Sequence, residues 1–119
     1  MPFQRGDIIE LPFLIPGKNR TEVHPAIIIS NNLVHENEGI YICVMVTHSE
    51  LHEFFAFDLA PDMFVNARNV PEGKAKAHLV AYVLESQVIS NSSTKRNKMK
   101  HVYVDKLVHF ISDTVLFED

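Results

Sequence analysis

The sequence predicts a small, mainly β domain that ends in an α-helix, its strands wrapped into a strongly curved sheet or half-open barrel. Three observations carry that expectation. Short apolar runs recur as far as residue 89, each bounded by Gly, Pro, Asn or Ser. Spacings of three and four replace this pattern only from Asp105 onward. With 119 residues, the chain has room for one domain over 1–119 and one contiguous core. A sheet of many short strands must bury a face, and a single helix can close one end of it.

The elements follow in order. In GDIIELPF, Ile9, Leu11 and Phe13 alternate with Ile8, Glu10 and Pro12, the period of a half-buried strand. Pro16-Gly17 and a polar stretch to Val23 predict an exposed loop. Ala26 to Ile29 form an apolar run too short for a helix and bounded by His24-Pro25 and Ser30-Asn31-Asn32, which predicts a strand over 25–30 that ends in a turn. Gly39 to Thr47 and Glu53 to Leu59 read as further strands, Met63 to Asn66 as a brief one, and His78 to Ile89 as a longer one. From Asp105, taken as a cap, Leu107, Val108, Phe110, Ile111, Val115 and Leu116 predict one helix.

Composition narrows the function classes. Hydrophobic residues make up 46% and charged residues 22%, close to soluble globular averages, and no apolar run approaches the ~20 residues that span a bilayer. No membrane association is expected. The start of the chain lacks a basic segment followed by an apolar one, so export is not expected and the cytoplasm is. The single cysteine, Cys43, lies in an apolar run and reads as a buried, inert thiol. A net charge of −4 argues against coating nucleic acid by bulk attraction. Lys95, Arg96, Lys98 and Lys100 nevertheless hold four of the 11 basic residues, and removing them takes the rest of the chain from −4 to −8. Such a segment can meet phosphate locally, although taken alone SNSSTKRNK has the composition of a solvated connection.

RGDIIELPF, a gap containing Gly17, HPAIIISNN, VMVTHSE, and LESQVIS followed by a basic stretch and a helix stand together in one order. In that order they resemble the MazF/PemK-type toxins of type II toxin–antitoxin pairs, over nearly the whole chain. The resemblance implies an SH3-like barrel and a homodimer whose interface borders the site. It also implies metal-free, sequence-selective cleavage of single-stranded RNA, and inhibition by a cognate antitoxin peptide.

Metal-free cleavage of this type needs a group to take the 2′-hydroxyl proton, one to stabilise the phosphorane charge and an acid for the leaving 5′ oxygen. His24 can serve in proton transfer, and Pro25 biases it toward an extended conformation at the expected strand end. The relatives usually carry an arginine at the position of His24. Thr47 matches the family threonine that contacts the scissile phosphate. Some relatives also carry an arginine and an aspartate just before the glutamine, where this chain reads Leu84-Glu85-Ser86-Gln87. The expected catalytic residues are therefore His24 and Thr47, with Gln87, Lys95, Arg96 and Lys98 near the RNA.

Plainer readings weigh against each residue. His24 can be a surface histidine beside a proline, and Thr47 an ordinary strand residue. His48, His52 and His78 suggest no metal, because His48-x3-His52 has ligand spacing only on a helix and the segment reads as a strand end. No cofactor is expected. Phe55 and Phe57 alternate as core residues do and receive no role in stacking bases. Two function classes remain: a MazF/PemK-type endoribonuclease, or a protein of the same fold that keeps dimerisation and binding without cleavage.

Overall fold

Five antiparallel strands account for most of the predicted runs: β1 Ile8–Leu14, β2 Thr21–Ile28, β3 Ile40–Thr47, β4 Ala56–Asp58 and β5 Lys74–Leu84, in sheet order β1-β2-β3-β5-β4. The computed structural model describes residues 3–15, 17–48, 53–89 and 97–118. Among the described residues no helix is long and apolar enough to cross a membrane.

The middle of the sheet, at Ala26–Ile28 and Cys43–Val46, is buried on both faces, which is why those runs are continuous, whereas β5 leaves one face exposed from His78 onward. On one face Ile8, Ile27, Val44, Val46, Ala75 and Ala77 pack against α2 (His101–Ile111) through Val104, Leu107 and Ile111. On the other, Ile9, Leu11, Phe13, Ala26, Ile28, Cys43 and Met45 fill the inside of the curl. Odd-numbered residues of β5 face the helix side up to Ala77 and the inside of the curl from Leu79 onward. That switch coincides with the break in β3–β5 register between Val44 and Val46, a bulge that bends the sheet. Beyond it, Ile89 N–H donates to Glu10 O at 2.9 Å and brings the chain back to the first strand, giving the half-open barrel.

Several local expectations are corrected. The strand over 25–30 begins four residues earlier, at Thr21, because the polar stretch pairs with β1 (Glu22 opposite Phe13, His24 opposite Leu11). His24 therefore lies inside a strand with its side chain only 20% exposed, not at an exposed strand end. Asn31-Asn32 do more than end a strand: the Asn31 side chain accepts from Val34 N–H and caps a short helix, α1 (Asn32–Glu38). Gly39 at φ +69° ends that helix in the left-handed conformation that glycine adopts without penalty. Glu53–Phe55 and Glu85–Gln87 are 3₁₀ turns where strand was expected, and Met63 to Asn66 contribute only a bridge from Phe64 to Met99. The helix starts at His101, four residues before Asp105, and passes into a π turn at Ser112–Leu116.

Asp105 has a partner instead of a capping role: Arg5 Nη2 reaches its Oδ1 at 2.7 Å, while Arg5 Nε donates to Ile29 O at 3.3 Å. Gly6 N–H donates to Ile28 O at 2.7 Å and Gly6 O accepts from Met99 N–H at 2.8 Å. A Cβ on Gly6 would lie 2.5 Å from Met99 O, so only glycine permits that approach. The Arg5-Gly6-Asp7 stretch thus fastens the N-terminal turn to the sheet and helix. Cys43 is fully buried in the curl, and burial pushes its thiol up to about 12, so the inert reading holds.

Candidate active site

Register and one proline open the site. Ile28 N–H points to β1, donating to Asp7 O at 3.0 Å, and Ile29 N–H points to β3, donating to Ile42 O at 2.9 Å. Alternation along the strand then turns the nitrogen of Pro25 toward β3, where it has no hydrogen to offer. The β2–β3 ladder stops one residue before it, at Ala26 opposite Met45. Continuing that register sets His24 opposite Thr47, on the face of the sheet that Ala26 and Met45 share. Because the ladder has ended, the two strands part and leave a pocket of about 640 Å³.

Val23, Pro25, Val46, Val70 and Pro71 are the apolar residues that line this pocket, and His24, Thr47, His48, Arg68, Asn69 and Glu72 the polar ones. Each imidazole has a carboxylate beside it. His24 Nε2 lies 3.4 Å from Glu22 Oε1, two residues back on the same strand face. Glu22 Oε2 also accepts from Arg20 Nη2 at 2.9 Å and Lys18 Nζ at 3.2 Å; the Arg20 guanidinium, then Lys18, holds this carboxyl below its usual range. On the other wall His48 Nε2 lies 3.1 Å from Glu72 Oε2. Thr47 pairs with Lys74 at the end of β3, and the chain enters β5 through Gly73 at φ +105°. A Cβ there would stand 2.5 Å from Thr47 O, so the closeness of this strap to Thr47 depends on glycine.

The strap that carries Arg68 is fixed from below by Asn97, which is 3% exposed. Asn97 Nδ2 donates to Asn66 O at 2.9 Å and Asn69 O at 2.7 Å, and its Oδ1 accepts from Asn66 N–H at 2.9 Å. Arg68 N–H in turn donates to Asn66 Oδ1 at 3.0 Å.

Of the residues expected from the sequence, His24 and Thr47 share the pocket, and the others lie elsewhere. Gln87 Oε1 accepts from Leu84 N–H at 2.8 Å in the turn after β5. Leu84 is opposite Ile40 and Lys74 opposite Thr47, so Gln87 sits at the far end of the ladder, on the order of 20 Å from Thr47 at the usual strand rise. Lys98 Nζ donates to Gln4 Oε1 at 2.9 Å and lies outside the pocket lining. Lys95, Arg96 and His52 fall outside the described residues. Glu85 accepts from the Tyr41 hydroxyl at 3.3 Å and stands 3.5 Å from His35, away from the pocket. Phe55 and Phe57 are partly buried against the helix-side core. Among the described residues no three His, Cys, Asp or Glu side chains converge to hold a metal. Sequence reasoning missed His48, Arg68 and Glu72 as pocket residues, and Glu22 as the carboxylate beside His24.

A sequence model of the PemK-like, MazF-like toxins of type II toxin–antitoxin systems matches residues 4–108. Among solved structures, a mycobacterial endoribonuclease in complex with its cognate antitoxin superposes with TM-score 0.69 at 12% identity, covering 99% of both chains. Two crystal forms of MazE–MazF from Deinococcus radiodurans give TM-scores of 0.67 at 13% identity, covering 97% of both chains, and 0.64 at 14%, covering 97% of this chain and 96% of that one. At these identities the likeness establishes the fold. No curated relative matches the sequence.

Proposed function

Because the chain belongs to the PemK-like, MazF-like toxin family of type II toxin–antitoxin systems, we propose that it is the toxin of such a pair and cleaves single-stranded RNA, without a metal ion, in the pocket between β2 and β3. One observation carries the reading: the register and Pro25 bring His24, with Glu22 behind it, and Thr47 to one pocket. In the reaction the 2′ oxygen bonds to phosphorus as its proton leaves to one imidazole. The bond from phosphorus to the 5′ oxygen then breaks as that oxygen gains a proton from the other. His24 and His48 divide these two transfers, and Glu22 and Glu72 hold the rings in orientation. The Thr47 hydroxyl donates to a non-bridging phosphate oxygen. Single strands are the substrate class, since their bases can splay apart to let the backbone enter.

The expected products are 2′,3′-cyclic phosphate and 5′-hydroxyl ends. Incubating the purified protein with mixed RNA in EDTA and mapping the ends tests this, and cleavage that vanishes in EDTA and returns with Mg²⁺ would sink it. The partners in this reading are a cognate antitoxin peptide and a second copy of the chain. Val80, Tyr82 and Leu84 form an exposed apolar row on β5, the kind of surface an isologous interface covers. Sedimentation at micromolar concentration should find a dimer; a monomer throughout removes that part of the proposal.

A further inference from the structure

We propose that Arg68 is the phosphate-contacting cation of this pocket. The inference deepens the ribonuclease reading and takes its ligand, a phosphodiester, from it. A phosphodiester carries one negative charge and gains a second as the phosphorane forms, so the site needs a cation that keeps its charge throughout. The two imidazoles exchange protons in the reaction and cannot hold a fixed charge. Lys18 and Arg20 are already committed to Glu22, at 3.2 and 2.9 Å. Among the pocket-lining residues described, Arg68 is the one permanent cation.

Its setting fits a ligand-binding side chain. The backbone is immobilised by Asn66 and, beneath it, by buried Asn97. Among the described residues the guanidinium makes no hydrogen bond or ion pair of its own. A fixed base with an unengaged planar head is what bidentate binding of phosphate oxygens requires. The residue comes from a strap 44 positions away from His24 in the sequence, which no local motif marks.

The test compares wild type, Arg68→Ala, Arg68→Lys and Lys106→Ala, the last removing an exposed charge on α2 outside the pocket. Each is assayed for cleavage of a fluorescent randomised single-stranded RNA in EDTA. Each is also assayed for salt-dependent binding of the same pool in 2′-deoxy form, which keeps the phosphates but lacks the attacking hydroxyl. Arg68→Ala is expected to lower kcat/KM about 10²-fold. It should also reduce the slope of log affinity against log salt by roughly 0.7, one single-strand phosphate contact. Arg68→Lys should recover part of both, and Lys106→Ala should change neither. If wild type cuts and Arg68→Ala cuts equally well, the proposal is wrong and the ribonuclease reading stands. If wild type does not cut, that reading fails, and the binding arm alone decides: a slope lost only in the Arg68 variants upholds the phosphate contact, and an unchanged slope overturns it. Equal losses in Lys106→Ala and Arg68→Ala would mean bulk charge and also overturn it.

Discussion

Replacing His24 by alanine is expected to lower the rate of RNA cleavage by about 10²–10⁴-fold, the usual cost of removing a general acid–base group. The fold should barely register the change. His24 is half-buried, and Glu22, its one partner among the described residues at 3.4 Å, keeps Arg20 and Lys18 when the imidazole goes. The loss of stability should therefore stay under about 1 kcal/mol. Single-turnover cleavage and thermal melts of the same preparations separate the two effects.

His24→Arg is the sharper variant, because it restores the residue the family carries at this position. A guanidinium opposite Thr47 binds phosphate oxygens at every accessible pH but takes up no proton, so cleavage is preserved or raised if position 24 serves to hold the phosphate and falls as in His24→Ala if the imidazole carries a proton transfer. If wild type, His24→Ala and His24→Arg all cut equally, His24 is a bystander. If none cuts, the barrel has been retained for binding rather than catalysis.

How far the sequence showed all this depends on the range of the interaction concerned. The strands at β1 and β3 were legible because alternation and β-branched runs are local signals. Glu22 was within reach, two residues before His24 and hence on its strand face, but the charged stretch around it reads as loop until the pairing with β1 is known. The helix after Asn31 also left a signal, a capping asparagine and a terminal glycine that bracket the seven residues of α1, yet it buries no residue fully and lacks an apolar stripe. The β5 bulge had no local trace, since it arises from bending to meet both β3 and β4. The family resemblance points to His24 and Thr47; that they face one another follows from β2–β3 register, which periodicity cannot fix. Arg68 was invisible for the same reason, being placed by contacts from a distant segment.

That distant segment carries the largest expected effect on stability. SNSSTKRNK reads as a solvated basic connection, but Asn97 within it is buried and its side chain makes four hydrogen bonds to backbone, accepting from Asn66 N–H and Lys98 N–H and donating to Asn66 O and Asn69 O. Those partners are two donors and two acceptors, so they fix which side-chain atom is oxygen and which nitrogen. Its own carbonyl accepts from Ile8 N–H at 3.0 Å, which ties the strap to the first residue of β1. Asn97→Ala removes all four side-chain bonds at once. Water can reach the strap from the exposed side, so the cost falls short of four full penalties and is expected at about 2–4 kcal/mol. This lowers the melting temperature by roughly 10 °C for a chain of this size. Asn97→Asp retains the acceptor but sets a charged oxygen against two carbonyls, and it should be at least as damaging. Urea denaturation measures both variants. At a temperature where Asn97→Ala remains folded, its RNA cleavage should still fall, because the strap no longer holds Arg68 at the pocket. A variant within about 0.5 kcal/mol of wild type, with cleavage intact, would show that the strap is held by something other than Asn97.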